Sequence, residues 1–159
     1  MFDCNHVSFR LGSGRRSSCV LEIKEVADGR GQGLFTVDGV ERGVDLAWFD
    51  GEVLRRQDLE VSGGLDFSKV IMVEPGRFLR ARVGREMSLA WFANHMCSGA
   101  NARIVVVGSG DQVCAVLCAA RDLGVGEEVV VDYHLSSLRG GKLERSDWHF
   151  ECLCLYWSK

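Results

Sequence analysis

The sequence predicts a single, mostly β domain with short helices. Short segments rich in branched and aromatic residues recur roughly every eight to twelve residues, separated by turn-forming residues, as is typical of all-β folds. The 159 residues include 19 glycines and one proline, so frequent turns and few long helices are expected. This length suffices for one domain with its own hydrophobic core.

The first third of the chain predicts short strands joined by glycine loops. Residues 19–26 alternate between apolar and polar side chains, as a half-buried strand does. A glycine-studded loop at residues 28–33 precedes the apolar run 34–37. Residues 44–54 predict two further strands, because an Asp-Gly turn interrupts their apolar pattern.

The middle of the chain predicts two β-hairpins. Residues 70–73 and 78–81 flank a Pro-Gly turn, and these two residue types favour tight reversals of the chain. Residues 103–107 and 112–120 flank a second, glycine-rich turn. Two further elements are predicted, a short helix over residues 88–95 and a strand over residues 128–133.

The composition argues against several classes of protein. A formal net charge of −3 and a pI near 5.8 disfavour direct binding to nucleic acid. The longest apolar run, residues 113–120, is too short to span a bilayer, and the first residues lack a signal-peptide pattern. No membrane partner is therefore expected. Seven cysteines without a secretion signal predict reduced thiols, so a disulfide framework is not expected either.

Two segments carry residue types suited to a cofactor site. Gly31 and Gly33 flank Gln32, where glycines let backbone groups approach a ligand, although a plain turn is the alternative. Residues 94–97 bring an amide, an imidazole and a thiol together within one turn. Their alternative is a helix end with a hydrogen-bonded histidine and a buried Cys97.

Two later segments also carry reactive groups. Residues 126–133 form a Gly-Glu-Glu turn that leads into a strand ending at Tyr133, one of only two tyrosines in the chain. Cys152 and Cys154 are spaced to reach one metal ion, whereas structural zinc needs four ligands. The alternative for residues 126–133 is a buried strand with a polar cap. The alternative for Cys152 and Cys154 is a pair of buried cysteines.

The order of these segments resembles that of SET domains, which are protein lysine methyltransferases. The chain has Gly-x-Gly, then Phe-Asp-Gly-Glu beginning at Phe49, then Asn-His-x-Cys, then Gly-Glu-Glu followed by Asp-Tyr, and finally Cys-x-Cys. The likeness extends over about residues 30–154 and is weakest between residues 55 and 86.

The resemblance implies a SET-domain β-clip with a knot-like crossing at the active site. It places the SET domain at residues 19–138, after a partly flexible N-terminal segment 1–18 and before a short post-SET-like cysteine tail 139–159. It implies methyl transfer from S-adenosylmethionine to a protein lysine, with Tyr133 as the catalytic residue that orients the reacting groups. The implied cofactor-binding residues are Arg30, Gly31, Gln32, Gly33, Asn94 and His95.

Three positions depart from the family pattern. Phe49 replaces the usual tyrosine and Val131 the usual phenylalanine or tyrosine of the substrate channel, which predicts a wide apolar channel and di- or trimethylation. Trp91 replaces an arginine, which removes one contact that shapes the cofactor site. These changes leave an alternative open, a catalytically weak or inactive SET-fold module that acts as a binding or assembly subunit of a chromatin complex.

The resemblance also implies zinc, a substrate and a location. Zinc would be held by Cys97, Cys152 and Cys154, with a fourth ligand from His149, His134, Cys4, His6, Cys19 or a partner protein. A third reading, a small zinc-binding protein without a cofactor, accounts only for the tail cysteines. The implied substrate is a histone tail or another chromatin-associated protein, with other chromatin-complex subunits as further partners. Nuclear residence follows from the family likeness, and cytoplasmic residence is the alternative.

Overall fold

A computed structural model of the chain describes residues 19–61, 69–82, 86–138 and 143–145. The predicted N-terminal segment 1–18 lies outside these residues, as do Cys152 and Cys154. Within the described ranges the fold is mostly β with a single short α-helix, which confirms the predicted β-rich class. No helix among these residues is long and apolar enough to cross a membrane.

The elements follow one another in chain order as a series of short strands. The strands are β1 (Leu21–Glu25), β2 (Gln32–Thr36), β3 (Asp45–Phe49), β4 (Glu52–Arg55), β5 (Val70–Glu74), β6 (Arg77–Arg80), β7 (Asn94–His95), β8 (Ala102–Val107), β9 (Cys114–Ala119), β10 (Glu128–Leu138) and β11 (Leu143–Arg145). The helix α1 covers Arg56–Val61, and 3-10 helices cover Leu89–Phe92 and Gly110–Gln112.

Two sheets share one main hydrophobic core. The larger sheet has the strand order β1-β2-β10-β8-β9-β3, with β7 and β11 also paired to β10, and the smaller sheet has the order β4-β6-β5. Leu34, Leu117 and Val129 of the larger sheet are completely buried and pack in the same cluster as Ile71 and Leu79 of the smaller one. Each such side chain stabilises the fold by roughly 1.5–3 kcal/mol, since it is removed from water.

Both predicted hairpins are confirmed. Strands β5 and β6 are joined through Pro75 and Gly76, and Gly76 has a φ of 73°, a left-handed conformation that favours glycine. Strands β8 and β9 pair over their whole length, from Ala102 with Ala119 to Val107 with Cys114. Their connection requires Gly108, because a Cβ at that position would lie 2.5 Å from the Gln112 carbonyl oxygen.

The helix predicted over residues 88–95 is only partly correct. A 3-10 helix covers Leu89–Phe92, but the chain turns to extended backbone at Ala93 and continues as strand β7. The cause is tertiary, since β7 pairs in parallel with β10, whose Val130 and Val131 align with Asn94 and His95. The predicted strand 128–133 is confirmed and continues further, to Leu138.

Strand β10 is bonded along both of its edges. The Val131 carbonyl accepts a hydrogen bond from the Met96 N–H, and the Val130 carbonyl accepts one from the Asn101 N–H, both at 3.1 Å. Successive carbonyls of a strand point to opposite edges. Residues 96–101 therefore connect β7 on one edge of β10 to β8 on the other edge.

Candidate functional site

Strand β10 brings together three segments that are far apart in the sequence. Its first residues pair with β2, with Val129 opposite Leu34, and its next residues pair with β7. Tyr133 follows two residues after Val131 on the same strand. The glycine loop that leads into β2, the Asn94–His95 pair and Tyr133 therefore lie along one short stretch of β10.

The glycine loop reverses the chain between β1 and β2. Gly31 has a φ of 80°, and its carbonyl accepts a hydrogen bond of 2.7 Å from the Val26 N–H. A Cβ at Gly33 would lie 2.7 Å from Val26 Cγ2, 3.0 Å from Glu128 Oε1 and 3.1 Å from Asn94 Nδ2. Gly33 thus lets the backbone of β2 approach the side chains of β7 and β10 directly.

Three residues join the glycine loop to β7, and we call them the pocket network: Arg30, Asn94 and Glu128. Glu128 accepts hydrogen bonds from Arg30 Nη2 at 2.9 Å and from Asn94 Nδ2 at 3.0 Å. Asn94 Nδ2 also donates to the Gln32 carbonyl at 3.2 Å, while no donor among the described residues bonds Asn94 Oδ1. The Asn94 amide is therefore oriented, with its oxygen as the group that remains to accept a bond.

The Arg30 guanidinium and the carboxylates near it stabilise each other's charged forms. Desolvation lowers the pKa of the Arg30 guanidinium, but its hydrogen bonds to Asp28 and Glu128 outweigh this and raise the pKa above its usual value. Arg30 Nε donates to Asp28 Oδ2 at 2.6 Å on the exposed side of the loop. Arg30 is therefore held by two carboxylates, one at the loop and one on β10.

The His95 ring is oriented by a contact at each of its nitrogens. The Tyr133 N–H donates to His95 Nδ1 at 3.1 Å, so the neutral ring carries its proton on Nε2. Nε2 lies 3.0 Å from Cys97 Sγ. Cys97 is exposed, so the alternative reading of a buried cysteine at this position is wrong. Among the described residues no group of three or more side chains is arranged to hold a metal ion.

Tyr133 presents its hydroxyl group to the segment that precedes β7. The hydroxyl donates to the Ala93 carbonyl at 2.6 Å, and the ring lies 5.1 Å from the His95 ring between centroids. A phenol has one proton to donate. With that proton directed at Ala93, the phenolic oxygen acts toward any further group as an acceptor.

The two residues assigned to the substrate channel lie in the main core. Phe49 is 3% exposed and Val131 is completely buried. Phe49 packs edge-on against Trp91, with ring centroids 4.9 Å apart, and Trp91 Nε1 donates to the Asp50 carbonyl at 2.7 Å. Phe49, Trp91 and Val131 thus belong to one buried hydrophobic cluster.

Four residues support the start of β10, and we call them the turn network: Thr36, Asn101, Arg121 and Glu127. Glu127 accepts hydrogen bonds from Arg121 and from the Gly124 N–H, and Asn101 Nδ2 donates to it at 2.9 Å. The hydrogen bonds from Arg121 are the largest cause that lowers the pKa of Glu127 to about 2. The sidechain of Asn101 also bonds the Glu128 carbonyl and the Val130 N–H, both at 2.8 Å.

Sequence reasoning missed Glu128 as a site residue. Its partner Arg30 lies 98 positions away along the chain, and nothing local in the sequence pairs the two. The available signal was the position of Glu128 inside the Gly-Glu-Glu motif, where two consecutive carboxylates precede a buried strand. The structure separates those carboxylates into the pocket network and the turn network.

The chain is similar in sequence to a known protein. It is 28% identical over 159 residues to histone-lysine N-methyltransferase set1 of Dictyostelium discoideum, covering 96% of this chain and 10% of that protein. The chain thus spans about a tenth of the length of this curated relative. No protein-family model matches the chain. The similarity is therefore to one segment of a histone-lysine methyltransferase.

Proposed function

We propose that the chain is a SET domain that transfers a methyl group from S-adenosylmethionine to a lysine side chain of a histone or another chromatin-associated protein. The observation that carries the proposal is the meeting of the glycine loop, Asn94–His95 and Tyr133 along β10. The similarity to a histone-lysine N-methyltransferase supports the reaction class.

The cofactor-binding role is assigned to the glycine loop and β7. Gly33 lets β2 lie directly against the Asn94 amide, and at Gly31 a Cβ would meet nothing within 4 Å, so a ligand can approach the backbone of the loop there. Asn94 Oδ1 offers an acceptor for an ammonium group, because Nδ2 is already bonded to Glu128. Arg30, Gly31, Gln32 and the His95 backbone complete the proposed site.

Tyr133 is the proposed catalytic residue. When bound, S-adenosylmethionine supplies a sulfonium methyl group that is positively polarised. The Tyr133 oxygen, whose proton is directed to Ala93, can accept from the hydrogens of the amine and the methyl group and so align them. A free lysine has a pKa of about 10.4, so the amine must lose its proton, which a partly dry channel favours.

The remaining assignments rest on the family resemblance and on local contacts. The Val130 and Val131 carbonyls accept hydrogen bonds from residues on opposite edges of β10. These bonds support the proposal that residues 96–101 cross β10 in a knot-like way. We assign the SET domain to residues 19–138, the flanking segments to 1–18 and 139–159, and residence to the nucleus. Cys97 stays a proposed zinc ligand together with Cys152 and Cys154, which lie outside the described residues.

The decisive experiment is a methyl-transfer assay with S-adenosylmethionine over histones and other chromatin proteins, read by mass spectrometry. The intact chain is expected to methylate a lysine, and Tyr133→Phe to reduce the rate at least 100-fold. The variant loses the hydrogen bond to the Ala93 carbonyl, which is worth about 1 kcal/mol, so its thermal unfolding stays close to that of the parent chain. Equal rates for both chains would remove Tyr133 from the mechanism.

The same assay tests the proposed channel residues by the number of methyl groups added. With Phe49 and Val131 in place of larger or hydroxylated residues, the expected products are di- and trimethyl-lysine. A time course that ends at monomethyl-lysine contradicts this expectation.

A second candidate is a SET-fold module without turnover that serves as a binding or assembly subunit of a chromatin complex. The packing of Phe49 on Trp91 and the complete burial of Val131 favour it, since side chains buried in the core offer little surface to a substrate. Calorimetry distinguishes the candidates at the first step. Absence of S-adenosylmethionine binding, together with absence of transfer, selects the assembly role.

A further inference from the structure

Glu128 stands between the two segments to which the cofactor-binding role is assigned. Its Oε2 takes the bond from Arg30 on the loop, and its Oε1 takes the bond from Asn94 on β7. The Arg30 and Glu128 side chains are each less than one-fifth exposed, at 19% and 18%. A charge-assisted pair in such partly desolvated surroundings is stronger than one on the open surface.

We propose that Glu128 is a positioning residue that holds the glycine loop and the Asn94 amide in the arrangement that binds the cofactor. The inference rests on the proposed function and extends it to a residue that does not itself contact the reacting atoms. Gly33 makes the arrangement possible, because its missing side chain leaves Glu128 Oε1 and Asn94 Nδ2 in reach of each other.

The geometry fixes the orientation of Asn94 as well as its place. If Glu128 loses its charge, the neutral amide of a glutamine still accepts from Asn94, but its NH2 group then faces the Arg30 guanidinium, donor against donor. Arg30 retains Asp28 as a partner and can swing to the exposed side of the loop. Loosening of the loop is therefore the expected result of Glu128→Gln, rather than unfolding.

Glu127→Gln is the matched control. The same change is made one residue earlier, in the turn network, where the carboxylate contacts Arg121, Asn101 and the Gly124 N–H and does not contact Arg30 or Asn94. This control is expected to lower thermal stability and to leave cofactor affinity within twofold of the parent chain.

The first measurement is S-adenosylmethionine binding by calorimetry, with steady-state kinetics on the substrate that the methyl-transfer assay identifies. Glu128→Gln is expected to raise the cofactor Kd and KM at least 10-fold and to change kcat at saturating cofactor less than threefold. Arg30→Gln is expected to act similarly, and the double variant to cost no more than either single variant, as for a pair that works as a unit.

The second measurement needs no cofactor. Amide hydrogen exchange at residues 31–33 is expected to be at least 10-fold faster in Glu128→Gln than in the parent chain or Glu127→Gln. If the parent binds S-adenosylmethionine, and Glu128→Gln matches it in both affinity and exchange, the role of Glu128 is overturned while the proposed function stands. If the parent does not bind, the proposed function fails, and the positioning role in cofactor binding fails with it.

Discussion

The turn network and the pocket network begin at neighbouring carboxylates, Glu127 and Glu128, yet they connect different parts of the chain and orient two asparagines that differ in burial. The turn network joins the buried Asn101 and Thr36, which are 2% and 0% exposed, to Arg121 and Glu127, whose side chains are 56% and 28% exposed, and it closes a turn onto the strand that follows. In the pocket network Arg30 and Glu128 have side chains that are 19% and 18% exposed, and the network connects three separate strands or loops. Two consecutive carboxylates thus serve two separate sets of bonds, one within a turn and one between the glycine loop and β7.

The separation follows from the chemistry of burial. A buried polar atom that loses its partner costs about 1–3 kcal/mol, so the fully buried Asn101 contributes mainly to stability. Partly exposed groups such as Asn94 and Glu128 regain water when a bond is lost, so changes to them cost less stability than changes to Asn101. Stability and cofactor affinity should therefore respond to different substitutions, although the two networks share one motif.

Asn101→Ala is expected to have the largest effect on stability. It leaves the buried Val130 N–H and the Glu128 carbonyl without their side-chain partner, at a cost of about 3 kcal/mol. For a domain of this size that corresponds to a decrease in Tm of about 6–12 °C, measured by scanning calorimetry. Asn94→Ala is the counterpart, with a Tm decrease below about 4 °C and loss of cofactor binding. A similar Tm decrease in the two variants would break the comparison.

Gly33→Ala is expected to have an intermediate effect. The added Cβ would lie 2.7 Å from Val26 Cγ2, and it would also push Glu128 and Asn94 apart. Overpacking of this kind costs about 1–3 kcal/mol, so both Tm and S-adenosylmethionine affinity should fall. Gly39→Ala is the control, because its nearest contact is an ordinary 3.8 Å to the Leu123 carbonyl oxygen. Unchanged cofactor affinity in Gly33→Ala would contradict the assignment of this loop.

Glu127→Gln is expected to have the smallest effect, and one that depends on pH. Folding lowers the pKa of Glu127 from 4.5 to about 2, chiefly through its hydrogen bonds with Arg121. The carboxylate therefore contributes stability above about pH 4.5, and this contribution is lost as the pH falls toward 2. Because Arg121 is exposed to solvent, the Tm difference between parent and variant should not exceed about 3 °C. A difference that is the same at pH 3 and pH 7, within about 0.5 °C, would exclude the charge as its cause.

Local chemistry explains which parts of the fold could be predicted from the sequence. The turn at Pro75 and Gly76 and the reversal at Gly108 are set by residues within the turns themselves, and both hairpins form as expected. The helix α1 was not predicted, since its sequence, Arg-Gln-Asp-Leu-Glu-Val, has no apolar repeat of helical period.

Non-local pairing explains what the sequence could not reveal. Asn94 and His95 look like a helix end, but β10, which lies more than 30 residues further along the chain, makes them a strand. The Glu128 carboxylate acquires its role only when Arg30 and Asn94 are brought beside it. The motif residues themselves were identifiable, whereas the bonds among them required the fold.

The two-sided pairing of β10 has a consequence for how the chain folds. The hairpins β1–β2, β5–β6 and β8–β9 each join neighbouring segments and can form early, because little chain entropy is lost in closing short loops. Strand β10 is the shared partner of β2, β7 and β8. It can pair with them only when residues 128–138 have left the ribosome. Until then the edges that β10 covers are unpaired, and unpaired strand edges are the places where another chain can add.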